Sequence, residues 1–208
     1  MGFVEKRKSE FFYKKAKAEK YRARSAYKLL ELQKKFHLIK EGSVVVDCGA
    51  APGSWSQVAL EFIGRTGLVI GVDILPIAAL EGNFVFLRAD LTKPTAAEKI
   101  KQALPRPADL VMSDAAPEFS GIRTRDIGLA MDLNRAILEI AKEILKSGGN
   151  FVCKSFQGPE FQDFVKELKE NFAEVNITKP AASLKESSEM YLVGLKFKRE
   201  SARTEQKG

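Results

Sequence analysis

Five charged residues stand where apolar runs of the sequence give out: Asp47, Asp73, Asp90, Asp114 and Lys154. Short apolar, β-branched runs read as strands buried in a sheet. In a sheet covered by helices, ligands collect at the carboxyl ends of the strands. The first run continues into Asp47-Cys48-Gly49-Ala50-Ala51-Pro52-Gly53-Ser54-Trp55. Gly49 and Gly53 there let a backbone turn tightly and approach a ligand with no Cβ in the way. Asp73, twenty residues past Gly53, is placed to accept hydrogen bonds from both hydroxyls of a ribose. Asp90 follows the third run, placed to meet the edge of an adenine. Asp114 and Lys154 close neighbouring runs on the same side, an acid and an amine set for proton transfer. Each feature also has a plainer reading: Asp114 as a turn cap, Lys154 as a snorkelling side chain, Trp55 as core, and the loop as a Gly-rich join between strand and helix.

The spacing predicts the elements that position these residues. Helices are expected over 25–36, 54–63, 95–104, 124–145 and 159–172, with a short one near 77–80. Gly148-Gly149 reads as the stop of the long fifth helix. Strands are expected over 44–48, 68–73, 84–88, 109–113, 150–154, 174–178 and 189–198. Strand–helix alternation makes an α/β, Rossmann-like fold: a mostly parallel seven-stranded sheet with helices on both faces. The last two strands have no helix between them, so one strand runs antiparallel at or near an edge.

Composition narrows the chemistry. The chain has 208 residues, 45% hydrophobic and 29% charged, as an ordinary globular protein does. Cys48 and Cys153 are too few for a disulfide framework or a four-cysteine zinc site, and both read as reduced, buried thiols. A single histidine, His37, excludes paired-histidine metal chemistry, and no metal is expected. No signal-peptide core opens the sequence, and its longest apolar stretch is interrupted by Asp73, so no membrane is expected and the compartment is read as cytoplasm. Residues 1–28 hold ten Lys or Arg against three acids, a surplus equal to the +7 net charge of the whole chain. A basic head on a neutral body reads as a polyanion-binding element. Three parts are expected: a basic helical extension over 1–36, a catalytic domain over 37–199 and a polar tail over 200–208.

The loop departs from a nicotinamide-binding fingerprint, which needs glycine where Ala51 and Ser54 stand. It resembles instead the S-adenosylmethionine loop of Rossmann-like, class I methyltransferases. With it, Ser25-Ala26-Tyr27-Lys28-Leu29, Ser113-Asp114-Ala115-Ala116-Pro117, Cys153-Lys154 and Ser188-Glu189 resemble the blocks of the FtsJ/RrmJ (RlmE) family of ribose 2′-O-methyltransferases. The resemblance runs from about residue 22 to 198. Cys48 stands where Leu is usual, Ser54 where Gly is usual, and Glu118-Phe119-Ser120-Gly121 keeps only Ser-Gly. The resemblance implies a catalytic Lys-Asp-Lys-Glu set at Lys28, Asp114, Lys154 and Glu189. It also implies S-adenosylmethionine bound by Asp47, Gly49, Pro52, Gly53, Trp55, Asp73, Asp90 and Asp114, leaving S-adenosylhomocysteine as product.

A ribose hydroxyl is a poor nucleophile until its proton leaves, and transfer from a sulfonium needs in-line alignment. A lysine can take that proton if neighbouring cations and desolvation depress its pKa from about 10.4 toward neutrality. Lys154 is the expected base, with Asp114 orienting it. Lys28 keeps it partly neutral, and Glu189 orients the lysines or the ribose. Lys14, Lys15, Lys20, Arg22 and Arg24, interleaved with Phe11, Phe12, Tyr13 and Tyr21, suit RNA: cations meet phosphates and rings stack on unpaired bases. Arg22, Arg24 and Lys28 share a helical surface if that helix begins early enough. The implied substrate is a uridine of large-subunit ribosomal RNA, within an assembled or nearly assembled subunit, acted on by a monomer. A transfer-RNA anticodon-loop methyltransferase, a messenger-RNA cap enzyme and a non-catalytic ribosome-assembly factor are the competing readings.

Overall fold

The computed structural model describes residues 3–117, 120–183 and 187–199, with side chains from Glu10 onward. Glu118, Phe119 and the tail from 200 lie outside the described residues. Two helices lead, α1 (Phe3–Ala18) and α2 (Ala26–Phe36). Then come β1 (Val44–Cys48), α3 (Ser54–Ile63), β2 (Leu68–Asp73), β3 (Phe84–Arg88), α4 (Thr95–Ala103) and β4 (Ala108–Ser113). The second half is α5 (Arg123–Ile144), β5 (Leu145–Phe156), α6 (Phe161–Asn171), β6 (Phe172–Thr178) and β7 (Glu189–Phe197). The seven strands form one sheet in the order β3-β2-β1-β4-β5-β7-β6. Only β7 runs antiparallel to its neighbours, and it lies second from the edge.

Period-2 alternation divides the core between the two faces. Val46, Cys48, Ile70, Phe151 and Cys153 point into the layer formed with α4, α5 and α6. Val45, Val69, Leu110 and Val152 point the other way, onto Ala26, Leu29 and Leu32 of α2 and Trp55, Val58 and Ala59 of α3. Both thiols are wholly buried, which pushes each up from its ordinary pKa. The sheet order reverses beside β1, between β1 and β4. That switch point opens the crevice in which doubly wound folds bind ligands.

Several boundaries differ from expectation. No helix forms at 77–80: Pro76 has no N–H to donate, and the carbonyls of Ala78 and Ala79 are taken by the Arg22 guanidinium. Helix α5 ends at Ile144, ahead of Gly148-Gly149, because the chain enters β5 at once. The register on β4 jumps from Ala108↔Leu145 to Leu110↔Asn150, so the two glycines lie in a bulge. Pro159 precedes α6 instead of lying in its first turn. Helix α2 starts at Ala26, after a turn, so Arg22 and Arg24 do not share its surface with Lys28.

By packing, α2 belongs to the body of the domain, whereas α1 meets it through Phe12 and Ala16 against Tyr27 and Ala182. Among the described residues no helix is long and apolar enough to cross a membrane. Leu29 is wholly buried, so Leu29→Ala should lower the free energy of global unfolding by about 2–5 kcal/mol. Denaturant unfolding followed by tryptophan fluorescence measures it. An unchanged midpoint would mean that α2 is detachable.

Candidate active site

The crevice at the switch point is a cavity of about 590 Å³. Gly49, Ala51, Asp73, Asp90 and Asp114, all anticipated or adjacent to anticipated positions, line it. Gly49 adopts φ +76°, and a Cβ there would stand 2.4 Å from the Cβ of Ala115, so the position admits no side chain. The turn is held from β2: Val72 O accepts from Gly49 N–H at 2.8 Å and from Ala50 N–H at 3.1 Å. Asp73 ties its two flanks together. Its Oδ2 accepts from Ala51 N–H at 2.9 Å and its Oδ1 from Leu75 N–H at 2.8 Å. Asp90, at the surface, accepts from the Thr92 hydroxyl and N–H, and these bonds hold its carboxyl below the usual range.

Among the described residues four carboxylates line the cavity, Asp132 of α5 being the fourth, and no Lys or Arg does. Ile74, Leu75, Leu91, Leu129 and Leu133 supply apolar walls. A pyrophosphate would be repelled here. A nucleoside bearing a cationic sulfonium and amine fits, with acids for its ribose and charges and apolar walls for its base. S-adenosylmethionine meets that description, and among the described residues no cluster of His, Cys, Asp or Glu is arranged to hold a metal ion.

Four of the cofactor candidates lie outside the cavity lining. Asp47 is 1% exposed and accepts a 2.7 Å hydrogen bond from the Ser56 hydroxyl, fastening the first turn of α3 from beneath. Burial pushes its carboxyl up to about 7. Trp55 is buried, stacked 5.9 Å from Tyr191, with its indole N–H given to Ser25 O. Gly53, at φ +103°, opens α3, and the Pro52 carbonyl accepts from Arg22. These residues build the turn on which the cavity stands.

Lys28, Asp114, Lys154 and Glu189 converge beside the cavity. Parallel pairing of β4 with β5 places Ser113 beside Cys153, so Asp114 and Lys154 follow as neighbours. Antiparallel pairing sets Tyr191 opposite Lys154, with Glu189 two residues along on the same face of β7. Lys28 comes from α2. The Lys154 amine donates to Asp114 O at 2.6 Å and lies 3.2 Å from Asp114 Oδ1. The Lys28 amine is gripped by both oxygens of Glu189, at 2.8 and 2.9 Å, and stands 3.8 Å from Asp114 Oδ1. All four side chains are between 10% and 17% exposed, so the pairs are largely withdrawn from water while an edge remains open. Burial would raise the Glu189 carboxyl, but the charge and hydrogen bond of Lys28 and the Ser183 hydroxyl hold it below its ordinary value.

Sequence reading missed Tyr191. Its hydroxyl donates to Asp114 Oδ1 at 2.6 Å, and burial with the charges of Asp114 and Glu189 keeps it protonated, well above its ordinary pKa. It also missed Asn134, whose amide donates to Lys154 O at 2.9 Å. Both sit inside apolar patterns, and only the β5–β7 register and the packing of α5 on the sheet bring them to the site. The polar surface candidates are placed elsewhere. Lys14 pairs with Glu10 and Lys15 with Glu19 along α1. Lys20, Arg22 and Arg24 lie between α1 and α2.

Comparison with known proteins finds relatives over most of the chain. A family model for FtsJ-like methyltransferases matches residues 21–197. Ribosomal RNA large subunit methyltransferase E of Methanobrevibacter smithii is 50% identical over 193 residues, 92% of each chain. Its counterpart of the same name from Archaeoglobus fulgidus is 48% identical over 93% of this chain and 99% of its own. Among solved structures, a Plasmodium falciparum protein assigned as a ribosomal RNA methyltransferase superposes with a TM-score of 0.76 at 29% identity, covering 85% of this chain and 98% of that one. Fibrillarin from Aeropyrum pernix, solved with S-adenosyl-L-methionine, shares the fold at a TM-score of 0.54 and 17% identity, covering 82% and 76%. With the family model spanning most of the sequence and relatives at half identity over nearly the whole length, the chain belongs to the FtsJ-like methyltransferase family.

Proposed function

We propose that the protein methylates the 2′-oxygen of a ribose in large-subunit ribosomal RNA, that of a uridine, using S-adenosylmethionine and Lys154 as the base. The observation that carries this reading is the Lys154 amine, 3.2 Å from Asp114 Oδ1, at the edge of a cavity that Asp114 itself lines. The donor supplies an electrophilic methyl group on a sulfonium. The remaining work falls to the chain. In its neutral form Lys154 Nζ accepts the hydroxyl proton as the oxygen bonds to the methyl carbon and the carbon–sulfur bond breaks, with the thioether S-adenosylhomocysteine leaving. Asp114, fixed by the Tyr191 hydroxyl, holds the amine on line and compensates the charge it gains. Lys28, steadied by Glu189, offers a cation to the ribose oxygen or its flanking phosphate.

Ribosomal RNA as substrate is supported by the names that the half-identical relatives carry. On this chain, α1 offers the matching surface. Phe11 and Tyr13 are 59% and 63% exposed, and Lys15 and Lys17 lie in its last turn. Rings can stack on unpaired bases while Lys14, Lys15, Lys20 and Arg24 meet phosphates. The enzyme would act as a monomer in the cytoplasm on an assembled or nearly assembled subunit, whose own structure adds contacts.

Lys154→Ala should lose roughly 10²- to 10⁴-fold in single-turnover methyl transfer while keeping its affinity for S-adenosylhomocysteine. A wild-type rate in that variant would remove Lys154 from the chemistry. Labelled donor offered with ribosomal subunits, free ribosomal RNA and transfer RNA, followed by mapping of the 2′-O-methyl mark, distinguishes the substrates. Exchanging Lys14, Lys15 and Lys20 together for Gln should weaken RNA binding and make its log–log dependence on salt shallower by about 2. An unchanged slope would place the RNA elsewhere.

A further inference from the structure

Arg22 stands in a basic segment that points, by charge alone, to phosphate. Its guanidinium is aimed inward instead. Nη1 donates to Pro52 O at 3.0 Å and to Ala78 O at 2.8 Å, and Nη2 donates to Ala79 O at 2.6 Å. Among the described residues no carboxylate forms an ion pair with it. Its own N–H donates to Gln57 Oε1 at 2.8 Å, and the Gln57 amide returns a 3.2 Å bond to Lys20 O. The turn between α1 and α2 is thus strapped to α3 on one side and to the β2–β3 loop on the other.

The segments it joins are two walls of the donor cavity. One is the β1–α3 loop, which contributes Gly49 and Ala51. The other begins at Asp73 and contributes Ile74 and Leu75. Asp73 ties them from within, through the N–H groups of Ala51 and Leu75. Arg22 ties them from outside. The space for it comes from Gly53, where a Cβ would stand 2.8 Å from Arg22 Nη1. Three carbonyls shared between two nitrogens suit a guanidinium fork and not the single point charge of an ammonium.

We infer that Arg22 is a positioning residue of the methyl-donor pocket, clamping its two walls so that donor affinity depends on the turn that joins the RNA-facing helix to the domain. This rests on the reading of the cavity as the donor site. Arg22 touches none of Lys28, Asp114, Lys154 or Glu189 in the contacts above, so its loss weakens donor binding more than turnover.

The test uses full-length Arg22→Ala and Arg22→Lys. Titration calorimetry with S-adenosylhomocysteine, without RNA, should show binding weaker by about tenfold or more in both. The donor KM should rise in parallel, while kcat at saturating donor stays within about twofold of wild type. Ethylguanidinium added to Arg22→Ala should restore part of the affinity, which a general loss of packing would not permit. Where Arg22→Ala loses its cooperative melting transition, Arg22→Lys carries the same measurement. Wild-type affinity for S-adenosylhomocysteine in Arg22→Lys, with RNA binding weakened instead, would make Arg22 a phosphate contact and overturn the inference. Absence of S-adenosylhomocysteine binding to the wild-type protein would overturn the reading of the cavity itself.

Discussion

One carboxylate oxygen organises the catalytic face. Asp114 Oδ1 accepts the Tyr191 hydroxyl at 2.6 Å, faces the Lys154 amine at 3.2 Å and stands 3.8 Å from that of Lys28. Two amines and two carboxylates share a site that is nearly closed to water, so each charge needs its partner. Removing one leaves its partner largely buried and uncompensated, a heavier penalty than the loss of a surface ion pair. The sheet supplies most of the geometry, and α2 brings Lys28. Asp114 follows β4 directly, Lys154 lies within β5, and both Glu189 and Tyr191 belong to β7. Backbone ladders therefore set the spacing of the groups proposed to move the proton, which is the rigidity such a reaction requires.

The two sides of Asp114 have opposite chemistry. On one side is a cavity lined by acids and apolar side chains, suited to a cationic nucleoside. On the other is a pair of lysines, largely buried with one edge open. In the reaction proposed above, a positive donor and a negative acceptor meet across one aspartate, each drawn by the charge it lacks. The buried carboxyl of Asp47, raised to about 7, lies beneath this arrangement and fastens the first turn of α3 through Ser56.

The sheet and much of the site were legible in the sequence for a physical reason. Buried parallel strands write themselves as short apolar runs, rich in β-branched residues in Val44–Cys48 and Leu68–Asp73 and carried by Leu110, Val111 and Met112 in Ala108–Ser113. The acids that end them mark the ligand side. Side-chain direction was less legible. Asp47, in β1, and Trp55, in the first turn of α3, flank the loop at the cavity yet point into the protein, since the sequence there does not say which residues line the cavity and which hold it up. Tyr191 reads as another apolar strand residue until pairing with β5 brings its hydroxyl to Asp114. The segment at 77–80 has helix-forming residues, but its carbonyls are claimed by Arg22 from more than fifty positions away in the chain. Long-range ties of this kind leave no local pattern.

The central claim is that the charge of Asp114 holds the Lys154 amine in position to take a proton from a ribose hydroxyl. Asp114→Asn keeps the shape and a carbonyl oxygen while removing that charge. Single-turnover transfer at saturating donor, measured on ribosomal RNA, tests it directly. The account predicts a loss of roughly 10²-fold or more, with the fold and its melting transition retained. Transfer at the wild-type rate would contradict it.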